Sequence, residues 1–222
     1  MQKLDKNTHA GLVMALLRHG QSEGNVKRLW EGARSDSPLT ALGEKQAEAT
    51  GEHLAAGMAG ARIYCSPLQR ARKTAERIAK YTDSEIEVIE DLIEIDWGEL
   101  EGMTTKQVGE KFPEVLQHWG TKLSSPLPGG DAAMEVGKRT ASALERIVER
   151  EVESGRVVVV SHQGAIAMGL MYLLKKKDKF EEFQLPNCAV HSLQFNAVVK
   201  AEELASIDHL ISRGIESKKW SF

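Results

Sequence analysis

Two kinds of hydrophobic pattern alternate along this chain. Short unbroken apolar runs occupy Leu12–Leu17 and Val157–Val160. Each ends in a polar, glycine-bearing segment, Arg18-His19-Gly20 and Ser161-His162-Gln163-Gly164. Runs of that length, bounded in that way, predict buried strands followed by loops. Weaker strand signals lie at Arg62–Cys65, at Ile86, Val88 and Ile89, and at His191–Phe195. Between them the period becomes helical. Leu42, Gln46, Ala47, Leu54 and Ala55 follow Thr40, a residue type suited to cap a helix. Leu68, Ala71, Ala75, Ile78 and Ala79 follow Ser66-Pro67, which reads as an N-cap with proline at the first helical position. Further helices are predicted from about Thr104, over Ala133–Val152, and from near Gly164 through Leu174. Loops are predicted at Glu94–Gly102 and Leu123–Gly130.

Strands alternating with helices predict a three-layer α/β/α sandwich around a mostly parallel central sheet. The chain shows no internal repeat and no low-complexity segment, so residues 1–222 read as one domain. In such folds ligands bind beyond the carboxyl ends of the strands. His19, Arg70 and His162 each fall just after a predicted strand, so three separate parts of the chain converge on one edge of the sheet.

Composition narrows the picture without changing it. Apolar residues make up 41% of the chain and charged residues 27%, as in ordinary globular proteins. The net charge of -3 supplies no broad positive field for nucleic acid or acidic lipid, so an anionic substrate needs a local cluster of cations. Cys65 and Cys188 are the two cysteines. They suggest neither a disulfide framework nor a metal site, and read as reduced, buried thiols. The polar first ten residues, the missing cleavage site after Leu12–Leu17 and the absence of a membrane-length apolar run predict a cytoplasmic enzyme.

The residues at the strand ends suit phosphoryl transfer through histidine. That chemistry needs a neutral, oriented imidazole, cations or amides for the non-bridging oxygens, and a proton for the leaving group. Arg18 offers a planar fork for phosphate, and Gly20 would let backbone approach an anion closely. Arg70 would lie in the first turn of a helix whose amides also favour anions. His162 leaves the valine strand where Gln163 and Gly164 open another helix. Read singly, each also fits a bland role: a surface ion pair, an exposed helical arginine, a buried histidine satisfied by backbone. For the acid, the segment L-I-E-I-D-W-G-E-L-E-G offers Glu94, Asp96 and Glu99, and the residues alone leave all three open. Such a group could stay protonated beside an anionic phosphate and serve as general acid.

The chain resembles the histidine phosphatase superfamily, in the branch similar to phosphoglycerate mutases. L-L-R-H-G-Q-S-E-G-N resembles the nucleophile loop R-H-G-(E/Q)-(S/T)-x-x-N. D-S-P-L-T-A-L-G-E-K-Q-A, Y-C-S-P-L-Q-R-A-R-K-T-A, L-I-E-I-D-W-G-E-L-E-G and V-V-V-V-S-H-Q-G-A-I resemble four further family segments, in order along nearly the whole chain. The resemblance implies that His19 is the phosphorylated nucleophile. It implies that Arg18, Asn25, Arg70 and His162 surround the phosphoryl group, with Ser22 and the amide of Gln163 as further contacts. Glu94 would be the proton donor and later the base for water. The resemblance implies no metal and no cofactor. His53, His118, His191 and His209 match no family site and read as surface or packing residues.

Two departures shape the functional expectation. The segment P-G-G-D-A-A, Pro128–Ala133, lacks the Glu-Ser that many members carry after P-G-G. The stretch from Gly102 to Pro128 lacks the paired arginines of cofactor-dependent mutases; Lys106, Lys111 and Lys122 are its basic residues. A mutase must hold a second anionic group, whereas a phosphatase need only admit water. The expectation is a metal-independent phosphomonoesterase of the histidine acid phosphatase type, acting on a small phosphorylated metabolite, as a monomer or homodimer. A phosphoglycerate mutase is the alternative, and a catalytically silent binding module of the same fold the third reading. Residues 103–127 are expected to form a small cap, in which Phe112, Leu116 and Trp119 either line a pocket or pack the cap onto the sheet.

Overall fold

The computed structural model describes residues 11–118, 127–176, 180–196 and 199–217. Its frame is a six-stranded mixed sheet in the order β3-β2-β4-β1-β5-β6. The central strand β1 (Leu12–Arg18) pairs in parallel with β4 (Arg156–Ser161), and the register sets Arg18 opposite Ser161. His19 and His162 therefore leave neighbouring strands side by side. β2 (Ile63–Cys65) lies parallel to β4 and to the edge strand β3 (Ile86–Val88). On the other side β5 (Val190–Phe195) and β6 (Val199–Ser206) continue the sheet antiparallel.

Period-two alternation sends successive strand side chains to opposite faces. Ala15, Leu17, Ile63, Cys65, Val158 and Val160 pack under α2 (Ala41–Met58) and α3 (Gln69–Thr82), against Leu54, Ala71, Ala75 and Ile78. Met14, Leu16, Tyr64, Val157 and Val159 pack on the other face under α6 (Ala133–Glu151) and α7 (Gln163–Leu173), against Leu144, Ile147, Ile166 and Leu170. Helices thus cover both faces of a mostly parallel sheet. Shorter helices are α1 (Glu23–Lys27), α4 (Thr105–Lys111), α5 (Pro113–His118) and α8 (Asp208–Ile211). Among the described residues, no helix is long and apolar enough to cross a membrane.

The predicted cap at Ser66-Pro67 is displaced. Helix α3 starts at Gln69 with Leu68 as N-cap. Ser66 Oγ is engaged elsewhere: it lies 2.7 Å from His162 Nε2 and accepts from the Leu68 amide at 3.3 Å. The α3 amides are taken instead by Asp36, at 2.6 Å from Gln69 and 3.4 Å from Arg70. The anion at this helix N-terminus is thus the protein's own carboxylate. Helices α1, α5 and α8 and strand β6 add to the elements that the apolar pattern predicts. Of the proposed cap, Trp119 and Lys122 lie outside the described residues. Phe112 and Leu116 are partly buried against the core.

Candidate active site

At the carboxyl edge of β1 and β4, a cleft of about 470 Å³, counted out to open solvent, is lined by Arg18, His19, Asn25, Leu29, Glu31, Arg70, Glu94, Trp97, Gln163 and Gly164. Among the described residues, the arginines are its only cationic walls. None of the described residues of the 103–127 segment lines it.

His19 is 3% exposed. Its Nδ1 lies 2.7 Å from the Gly20 carbonyl oxygen. A carbonyl only accepts, so Nδ1 carries the proton and Nε2 keeps its lone pair. Burial pushes the imidazole well below its ordinary pKa, and the charges of Arg70 and Arg18 push it further the same way. The ring is therefore neutral and oriented, as a nitrogen nucleophile must be. Gly20 is required for a reason other than the expected approach to an anion: a Cβ there would stand 2.5 Å from the carbonyl oxygen of Gly43 in α2. The Gly20 amide donates to Thr74 Oγ1 at 2.9 Å, which ties the nucleophile loop to α3.

Arg18 Nη1 donates to Gln163 Oε1 at 2.7 Å and to the Leu185 carbonyl at 2.9 Å, while its buried Nε has no protein partner. Burial lowers the guanidinium to about 10, opposed by the nearby charge of Glu94 among others. Arg70 is 1% exposed; it donates to the carbonyls of Ser35 and Gly32 and pairs with Asp36 at 3.1 Å. Both guanidinium groups are therefore fixed in place before any ligand arrives.

Glu94 is held by three backbone amides. Its Oε1 accepts from Ile95 and Ala165 at 2.9 and 2.8 Å, and its Oε2 from Gly164 at 3.0 Å. The last two are the opening amides of α7. Gly164 makes this approach possible, since a Cβ there would lie 2.7 Å from Glu94 Oε1. Of the three candidate acids, only Glu94 lines the cleft. Asp96 instead binds Arg34 at 2.8 Å, and Glu99 faces Gly129. The P-G-G-D segment packs on this loop: the Asp96 amide donates to Asp131 Oδ2 at 3.0 Å, and the Asp131 amide to the Asp96 carbonyl at 2.8 Å.

The remaining candidates divide. His162 is fully buried behind the cleft wall, its ring 5.1 Å from that of His19, and its Nδ1 has no protein partner. Burial, then Arg70 and His19, holds it well below its ordinary pKa. Ser22 is buried and does not line the cleft; its Oγ caps α1 at the Asn25 amide and donates to Glu31 Oε2. His191 and His209 are buried packing residues, and burial pushes each down to about 4. The two cysteines are buried free thiols. Among the described residues, no group of three or more His, Cys, Asp or Glu side chains is placed to hold a metal.

Three residues around the site escape the sequence pattern. Asn187 Nδ2 donates to the His19 carbonyl at 3.1 Å and to Asn25 Oδ1 at 2.9 Å, locking the nucleophile loop to the start of β5. Arg139 of α6 donates to the carbonyls of Asp91 and Ile93 at 2.9 Å each and steadies the segment bearing Glu94. Glu31 lines the cleft itself. No local spacing marks any of the three.

Comparison with known proteins identifies the family. Residues 14–204 match the family model of the histidine phosphatase superfamily (branch 1). The chain is 35% identical over 161 residues to the bifunctional protein Rv2228c of Mycobacterium tuberculosis. That match covers 72% of this chain and 44% of the relative, so the chain spans less than half of that protein's length. It is 32% identical over 201 residues to a 2,3-bisphosphoglycerate-dependent phosphoglycerate mutase of Brucella anthropi, covering 86% and 97% of the two chains. A solved phosphoserine phosphatase variant from Entamoeba histolytica, in complex with phosphoserine, superposes with a TM-score of 0.79 at 27% identity, covering 90% of this chain and 99% of that one.

Proposed function

This chain belongs to the histidine phosphatase superfamily, and from that premise we propose that it is a metal-independent phosphomonoesterase working through a phosphohistidine on His19. The observation that carries the reading is the His19–Gly20 hydrogen bond, which leaves Nε2 as the lone-pair nitrogen beside two fixed arginines. Nε2 attacks phosphorus as the ester P–O bond breaks. Arg18 and Arg70 take the charge of the non-bridging oxygens, with Asn25 and Gln163 as neutral donors. His162 and Ser22 reach the phosphoryl group less directly, since neither lines the cleft. Glu94 gives a proton to the departing alkoxide. It then takes one from the water that attacks the phosphohistidine, returning His19 to its neutral form and releasing inorganic phosphate. The buried free thiols suit a cytoplasmic location.

Hydrolysis is favoured over mutation because, among the described residues, Arg18 and Arg70 are the cationic side chains on the cleft wall, and no other described residue adds a basic clamp for a second anion. The test is incubation with 3-phosphoglycerate, with and without 2,3-bisphosphoglycerate. Phosphate release well above isomerisation supports the reading; isomerisation well above phosphate release makes the chain a mutase.

A further inference from the structure

Glu31 stands on the cleft wall with the phosphoryl-binding arginines, and hydrolysis gives it no task. Its carboxylate is held on both sides by neutral donors: Ser22 Oγ donates to Oε2 at 2.9 Å and the Ser37 amide to Oε1 at 3.0 Å. The position is built for it. A Cβ on Gly24 would lie 2.0 Å from Glu31 Cδ, so the first turn of α1 is kept bare where the carboxylate sits. Among the described residues, no lysine, arginine or histidine forms an ion pair with it. It is half-buried, whereas His19, Arg18 and Arg70 lie at 3%, 4% and 1% exposure, so it stands nearer the mouth than the groups at the floor. Its neighbours on the wall, Asn25, Leu29 and Trp97, are uncharged.

A phosphate monoester seated with its phosphoryl group on the floor sends its alcohol portion toward that mouth. The positive charge below is already reduced, since Arg70 is paired with Asp36 and Glu94 adds a further acid. A second anion on the substrate would meet a carboxylate that acts on Arg18 at the floor but, among the described residues, forms no ion pair. An ammonium or a hydroxyl would find an oriented acceptor.

We propose that Glu31 is the residue that reads the charge of the substrate's alcohol portion, so that the site takes phosphate esters of amino alcohols best, neutral polyols next, and those bearing a second anion least. This rests on the phosphatase reading above.

The experiment measures kcat/KM for phosphoethanolamine, glycerol 3-phosphate, 3-phosphoglycerate and an aryl phosphate, in the unaltered protein and in Glu31→Gln. The variant keeps the side chain's size and one acceptor oxygen for the Ser37 amide. The expected order in the unaltered protein is ammonium, neutral, carboxylate. In Glu31→Gln the preference for glycerol 3-phosphate over 3-phosphoglycerate falls by about tenfold, as does that for phosphoethanolamine over glycerol 3-phosphate. An equal change for all esters would make Glu31 a structural support for the Ser22 loop and overturn the inference. So would an unaltered protein that prefers 3-phosphoglycerate. Hydrolysis of the aryl phosphate alone overturns the inference and leaves the phosphatase reading standing. Inertness toward all four esters overturns both.

Discussion

The rings of His19 and His162 stand 5.1 Å apart, centroid to centroid, tilted by 57°. That pairing follows from one register: Arg18 opposite Ser161 on parallel strands, with a histidine next in each chain segment. Both rings are buried beside Arg18 and Arg70, so neither accepts a proton readily.

This has a consequence for stability. His19 and His162 are held well below the ordinary histidine pKa, chiefly by burial, and His191 and His209 at about 4 for the same reason. The unfolded chain protonates these rings as pH falls through about 6.5, while the folded chain does not. Stability is therefore full above that value and lost below it, by about 1.4 kcal/mol for each such ring at about pH 5.5. Urea denaturation of the ligand-free protein at about pH 7.5 and about pH 5.5 checks it. Equal unfolding free energies would contradict the burial of these rings as neutral groups.

Gly164→Ala tests the placement of Glu94. The added methyl would stand 2.7 Å from both Glu94 Oε1 and Ile95 Cδ1, so the carboxylate must leave the α7 amides. A displacement of that size should lower kcat by about a hundredfold. The measurement is kcat on an ester with a poor leaving group, alongside the denaturation midpoint. Unchanged kcat would remove Glu94 from the proton-transfer role.

Asn187→Ala should loosen the nucleophile loop. It removes the donor to the buried His19 carbonyl and to the partly buried Asn25 Oδ1. The expected cost is about 1–3 kcal/mol of stability, with a fall in kcat/KM that exceeds the change in any variant outside the site. Urea titration and steady-state kinetics on the same preparation measure both. Full activity at reduced stability would make Asn187 a structural residue only.

Chelation should leave the activity intact, because every step proposed above is carried by side chains. Assay before and after dialysis against EDTA tests this. Loss of activity restored by one divalent ion would contradict the mechanism.

Much of this site is legible in the sequence because its parts sit where the hydrophobic pattern changes. The apolar runs before Arg18-His19 and before Ser161-His162 mark the strand ends, and parallel sheets gather such ends on one edge. The choice among Glu94, Asp96 and Glu99 is not legible locally, because it depends on the α7 amides reaching Glu94 from a helix some seventy residues away. Asn187, Arg139 and Glu31 are hidden because a lone polar residue has no periodicity; the partners of Asn187 and Arg139 also lie far along the chain, whereas Glu31 is held by nearby Ser22 and Ser37. The Ser66-Pro67 signal misplaces a helix start because His162, a tertiary partner, engages the serine that would have capped it.

The central claim is that the phosphoryl group passes through His19, and trapping that intermediate tests it most directly. The protein is mixed with excess aryl phosphate, quenched in alkali within the first turnovers, and digested under conditions that preserve phosphohistidine. The expected result is one phosphoryl group on the peptide containing His19, bonded at Nε2 and absent from His19→Ala. Steady phosphate release with no phosphorylated His19 peptide, or release retained in His19→Ala, would contradict the account.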